Sequence, residues 1–186
     1  MNATSPLLGY TRAFLTKQKL LAPGAALVID EESITSEMIG LLRRRKDFYA
    51  FTCSPWRDAS PLRCHVRQMR HEKRQGRLAV RYVPIIEARF TEEGATLALE
   101  SVDQLQDSPF DDADRLHAVL VHELLYYVYR HAAKSGRYEF LRLPAAAPVP
   151  RTQYRYEQFC ELSGWPPPRN GFVLVPLGPA SPGELA

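Results

Sequence analysis

Cysteine is scarce in this chain and carries no pattern. The 186 residues hold three, Cys53, Cys64 and Cys160, far apart and without a C-x-x-C pair. An odd, sparse count argues against a disulfide framework and against structural zinc. The expectation is three buried or half-buried thiols. Long apolar runs are missing too. Nothing approaches the ~18 residues that mark a membrane span, so no membrane insertion is expected. The opening "MNATSPLLGYTRAFLTKQKLL" has no basic segment leading into an apolar core, which argues against a secretory signal and for a cytoplasmic location. Charge of one sign is not in large excess: 24 Lys and Arg face 21 Asp and Glu, for a net +3. Distribution therefore matters more than the sum. The five histidines are scattered. His122 opens "HELLY", but Tyr126 stands where a zinc-protease helix needs its second histidine, so no metal site is expected. Internal repeats are absent.

What is present is an ordinary globular composition, 45% apolar and 24% charged, long enough for one domain with a real core. Residues 1–24 read as an arm with weak helical pattern. "AALVID" (25–30) and "DFYAFTCS" (47–54) read as strands. Between them "EESITSEMIGLLRRRK" reads as an amphipathic helix, with Ile34, Met38, Leu41 and Leu42 on one face and acidic and basic ends that suit the helix dipole. "RLAVRYVPII" and "EARFTEEGATLALESV" give further strands, turned at "TEEG". "RTQYRYEQFCELSGW" reads as a helix, "FVLVPL" as a strand and residues 179–186 as a flexible tail.

The most charged segment is "SPLRCHVRQMRHEKRQG". Ser60, Pro61 and Gly76 suit the start and stop of a helix. Leu62, Val66 and Met69 then form an apolar stripe, and Arg63, Arg67, Arg70 and Arg74 recur beside it. Lys73, Arg77 and Arg81 extend the row. A row of guanidiniums suits a phosphate backbone, because each pairs with phosphate oxygens and releases counterions. DNA is the expected partner of Arg63, Arg67, Arg70, Lys73, Arg74 and Arg77. The competing reading is a solvated face.

"LVHELLYYVYRHAAKSGRYEFLRL" (120–143) admits two readings. At helical spacing it is the second half of a long helix closed by Gly136. The resulting order of strands, long helix, strand, helix, strand resembles the C-terminal half of the GNAT-type N-acyltransferases, which implies an acyl-CoA cofactor. That family needs a Gly-rich turn before the long helix to hold a pyrophosphate. Here the stretch is "DSPFDDADRLH", with no glycine and four carboxylates. At strand spacing the segment is a β-hairpin turned at "AKSG", and the β-formers in "YYVY" favour this reading. The order over residues 96–178 then resembles the ParB/sulfiredoxin-like fold, with "RYEQFCELSGW" and "FVLVP" as its last helix and strand.

The hairpin reading is the one adopted. It predicts an α/β fold, a mixed sheet with flanking helices. A ParB/sulfiredoxin-like region (96–178) would follow an N-terminal α/β extension (1–95) that holds the basic helix. In place of the family's Gly-x-x-Arg, this chain has "PVPRTQYRYEQF", where Arg151 and Arg155 face one side of a helix start, a sound anion site. The resemblance implies ATP bound at Arg151 and Arg155, with Mg²⁺ and the carboxylates of Glu139 and Glu157 activating water for ATP or DNA hydrolysis. Small fertility-inhibition factors of the oncogenic-suppression type share this fold, which implies a plasmid-borne block on DNA transfer through a conjugation or type IV secretion component. A docking inhibitor without chemistry is a further reading.

Overall fold

The structure is a computed structural model that describes residues 6–29, 37–44, 46–54, 61–110, 115–144, 164–166 and 169–178. The described chain runs α1 (Pro6–Lys17), β1 (Leu27–Ile29), β2 (Glu37–Arg44), β3 (Asp47–Cys53), β4 (Leu62–Arg74), β5 (Arg77–Glu93), β6 (Thr96–Gln104), α2 (Arg115–Ser135), β7 (Phe140–Pro144) and β8 (Phe172–Pro176). All eight strands form one sheet in the order β2-β3-β4-β5-β6-β7-β8, with β1 beside β5. β2 to β6 are an antiparallel meander. α2 then carries the chain across to β7, which runs parallel to β6, and β8 closes the edge antiparallel to β7. The expected mixed α/β class is what the chain adopts. The boundary expected at 95/96 falls in the β5–β6 turn, so one sheet runs through both halves.

The sheet is buried on both faces. Tyr49, Phe51, Val66, Ile86, Ala88 and Phe90 meet Leu120, Leu124, Leu125 and Val128 of α2. On the other face Phe48, Ala50, Met69, Leu78, Val80 and Tyr82 meet Leu7, Phe14 and Leu15 of α1. β5 serves both cores. Its even positions Leu78, Val80 and Tyr82 face α1, but its even positions Ile86, Ala88 and Phe90 face α2. The phase flips where Val66 pairs with Ile86 and Arg67 with Pro84, which leaves Ile85 as the extra residue of a β-bulge. Pro84, which has no N–H for the ladder, sits at this irregularity. α1 is pinned by a buried hydroxyl pair. Thr11 Oγ1 gives its proton to the Leu7 carbonyl at 2.6 Å, so the 2.6 Å bond to Tyr82 is donated by the Tyr82 hydroxyl.

Three sequence expectations are corrected. The basic segment is strand β4, not a helix. Gln75 and Gly76, at φ 49° and 75°, form the two-residue turn that twisted hairpins prefer, so Gly76 closes a hairpin and not a helix. Residues 37–44, expected within a helix, are strand β2. Residues 126–143 do not form a hairpin, because α2 runs unbroken to Ser135 and only Phe140–Pro144 is strand. Local β-propensity in "YYVY" yields to packing: Tyr127 stacks on Phe51 with ring centroids 4.8 Å apart, and Val128 is fully buried. The thiol expectation also fails for two cysteines. Cys53 and Cys64 are cross-strand partners on β3 and β4, with Cα atoms 4.0 Å apart and their sulfurs bonded. Cys160, the helix read at 151–165 and the tail at 179–186 lie outside the described residues, apart from 164 and 165.

Tyr127 also explains Gly40. The ring lies against the β2 backbone at Gly40, its hydroxyl donates to the Leu41 carbonyl at 3.2 Å, and a Cβ at Gly40 would collide with the ring. Gly40→Ala should therefore cost about 1–3 kcal/mol by overpacking, read from the urea midpoint. In a Tyr127→Leu background the same change should cost clearly less. An equal cost in both backgrounds would remove this contact as the cause.

Candidate nucleic-acid interface

The basic residues of 62–81 are distributed by strand alternation, not along one helix face. Gln68 pairs with Tyr49, whose ring faces α2, so Arg70 and Arg74 share the α2 side. Across the hairpin Arg70 stands directly opposite Arg81, and Arg74 opposite Arg77. Four exposed guanidiniums therefore line one face of the hairpin end, as two facing like-charged pairs. Such pairs are destabilising when directly opposed. Among the described residues, acidic neighbours soften this at Arg74 and Arg70. Arg74 meets Glu72 at 2.5 Å, and Arg70 donates to the Asp107 carbonyl at 2.5 Å with the Asp107 carboxylate 3.9 Å away. Of the other residues expected to touch DNA, Arg63, Arg67 and Lys73 lie on the opposite, α1-side face. Lys73 sits at the tip beside the α1–β1 loop, where it lines a shallow recess of about 150 Å³ with Leu21 and Leu78.

That opposite face carries a polar network which composition and motif reading missed. Thr52, Arg63, His65, Arg67, Glu87, Arg89, Ser101 and Asp103 come from four adjacent strands in register. His65 Nε2 donates to Glu87 Oε2 at 2.9 Å. Arg89 reaches Glu87 at 3.2 Å and Asp103 at 2.6 Å, and Ser101 Oγ donates to the same Asp103 oxygen at 2.9 Å. Arg67 donates to Thr52 Oγ1 at 3.0 Å and more weakly to the Tyr82 carbonyl at 3.4 Å. Burial, and then the positive charge of Arg67, hold the His65 pKa below its ordinary value although Glu87 pulls it up. Burial likewise lowers the pKa of Arg67. The available signal was period-2 alternation of charge: Arg63, His65 and Arg67 on one strand, Glu87 and Arg89 on its neighbour.

The expected catalytic group does not assemble among the described residues. Glu139 is exposed at the start of β7, with its backbone bonded to Ala95 and Leu177. The neighbouring Arg137 and Arg142 bond Glu92 at 3.0 Å and Glu93 at 2.5 Å. Arg151, Arg155 and Glu157 lie outside the described residues. No cluster of three or more His, Cys, Asp or Glu that could hold a metal occurs among the described residues, and no helix there is long and apolar enough to cross a membrane. A scan against protein-family models and a search of the curated proteins both return no match.

This charge layout bears on stability in two ways. Arg77→Glu turns a like-charged cross-strand pair into an attractive one and should stabilise the fold by about 0.2–1 kcal/mol. The gain should fade at high salt; a loss of stability at low salt would show the pair is not repulsive. His65 binds its proton more weakly when folded than unfolded, so its contribution is complete above the ordinary histidine pKa of 6.5. That contribution is lost as pH falls through 6.5 towards the lower folded value. The acid limb of urea stability below pH 6.5 should therefore be shallower in His65→Gln. Asp103, held low first by its bond from Arg89, acts only below 3.8 and does not overlap this window.

Proposed function

We propose that the chain binds nucleic acid through the strip formed by Arg70, Arg74, Arg77 and Arg81. The observation that supports this reading is the direct opposition of Arg70 to Arg81 and of Arg74 to Arg77. The free protein bears that repulsion, and a polyphosphate relieves it. β1 lies alongside β5 at Leu78–Val80 and α1 packs on the opposite face, so the hairpin end is not a free ribbon that enters a groove. The strip meets the phosphate backbone as a surface, which gives binding without sequence preference. A cytoplasmic location suits such a ligand, whereas the bonded Cys53–Cys64 pair is of a kind that oxidising compartments favour.

Nucleotide hydrolysis, DNA cleavage with Mg²⁺ and a block on conjugation or type IV secretion came with the ParB/sulfiredoxin resemblance. That resemblance leaned on a hairpin at 126–143 that the chain does not form, so these readings lose that support. ATP at Arg151 and Arg155 is a separate question, open to an ATP titration.

A second reading has its own observation. α2 is the long helix that the GNAT-type order requires, and β6 pairs with β7 only at Thr96, Leu97 and Ala98 although β6 continues to Gln104. Two parallel strands with a short contact, connected through a long helix, fit an acyl-CoA-dependent transferase. The acidic stretch before α2 opposes a pyrophosphate there.

Duplex binding measured across a salt series separates the two. Log affinity should fall linearly with log salt, and Arg74→Ala with Arg77→Ala should flatten the slope by about 0.9 for each phosphate no longer neutralised. Thermal stabilisation by acetyl-CoA, with duplex affinity unchanged in the double variant, would favour the transferase and reject the strip.

A further inference from the structure

We infer that Arg63, His65 and Arg67 form a binding site for a small oxyanion, of the carboxylate, phosphate or sulfate type, distinct from the arginine strip on the other face. In the network both carboxylates are already engaged, Glu87 by His65 and Arg89, and Asp103 by Arg89 and Ser101. Arg67 is half-buried, yet among the described residues its side chain bonds only neutral oxygens, Thr52 Oγ1 and the Tyr82 carbonyl. A guanidinium withdrawn from water without a carboxylate is costly unless an anion completes it. Arg63, two positions from His65 on the same face, stands opposite Arg89, which already holds the carboxylates of the network. Arg63, His65 and Arg67 stand at alternate positions of β4, so the two arginines flank the histidine on one face.

The ring supplies the second observation. Its Nε2–H is committed to Glu87, and its Nδ1 is buried without a hydrogen-bond partner among the described residues. In the neutral ring Nδ1 is a bare acceptor. Protonation makes it a donor aimed at whatever lies beside it. The groups facing the ring are Arg63 and Arg67 on β4, Glu87 and Arg89 on β5, Thr52 on β3 and Asp103 on β6. The anion therefore takes up a proton with it: Arg67 holds it by its fork geometry, and His65 adds a donor as it charges. The ligand is small, because the His65 and Glu87 side chains are only 17% and 14% exposed and a duplex does not reach them.

Calorimetric titration of the full chain with sulfate, which keeps its charge across the histidine range, tests this, with phosphate and acetate as the tetrahedral and planar comparators. Wild type should bind sulfate about tenfold more tightly at the acid end of the range of about pH 5–8 than at its basic end. His65→Gln should still bind but lose that pH dependence. Arg67→Met should abolish binding while leaving the melting temperature of the free protein unchanged or higher, because it removes an uncompensated charge from a covered place. Duplex affinity should not change in Arg67→Met. The site is overturned if none of the three anions gives heat at concentrations up to about 10 mM, or if Arg67→Met binds sulfate as wild type does. It is also overturned if Arg67→Met weakens duplex binding as much as the strip variants do, since nucleic-acid phosphate is then the ligand. Failure of the strip variants to affect duplex binding would reject the proposed function and leave this site standing.

Discussion

One residue too many on β5 governs the molecule. Because Ile85 has no partner on β4, positions of the same parity face α1 before it and α2 after it. Without that bulge a 17-residue strand would place its whole apolar set on one face, and one of the two helices would have nothing to cover. The same shift arranges the charges. Arg81, ahead of the bulge, points to the α2 side and joins Arg70, Arg74 and Arg77. Glu87 and Arg89, beyond it, point to the α1 side and meet His65. Both candidate sites are thus consequences of the irregularity that lets a single sheet bury two cores.

The elements legible in the sequence are those whose burial is simple. "DFYAFTCS" and "FVLVPL" are short β-rich runs bounded by turn residues, and they are strands. The turn after "TEEG" is a β5–β6 turn because Gly94 supplies a positive φ of 60°. The basic segment misled for a definite reason. Leu62, Cys64 and Val66 face α2, whereas Met69 faces α1, and a strand buried on both faces produces the i, i+4, i+7 spacing of a helix. Only with Cys64 counted as apolar does the alternation show. The Tyr126–Tyr129 stretch misled in the opposite direction, since a β-rich composition does not register that Tyr127 has Phe51 and a bare Gly40 backbone to lie against.

Site residues were legible as types and not as an arrangement. Arg70, Arg74 and Arg77 belong together, but opposite partners rather than helical neighbours bring them there, and Arg81 matters as much as they do. Arg63 and Arg67, read as part of the same row, belong to the other face. Asp103 carried no local pattern that singled it out, and the charge alternation at Glu87 and Arg89 gains its meaning only through registers shifted by two bulges. Cross-strand register is a property of the sheet, and a single run of sequence contains only one side of it.

The two-residue turn at Gln75 and Gly76 has a kinetic consequence. It closes the longest hairpin of the meander, and contacts between sequence neighbours form before those that close long loops. Arg74 and Arg77 are the first pair beyond that turn, and Arg70 and Arg81 lie four residues further along. Repulsion therefore falls on a register that sequence neighbours close, whereas the Tyr127 contact to β2 joins residues 86 apart in sequence and closes a long loop. Counterions in the surrounding solution, which screen that repulsion, thus act on the rate at which the chain finds its fold as well as on what the finished surface attracts.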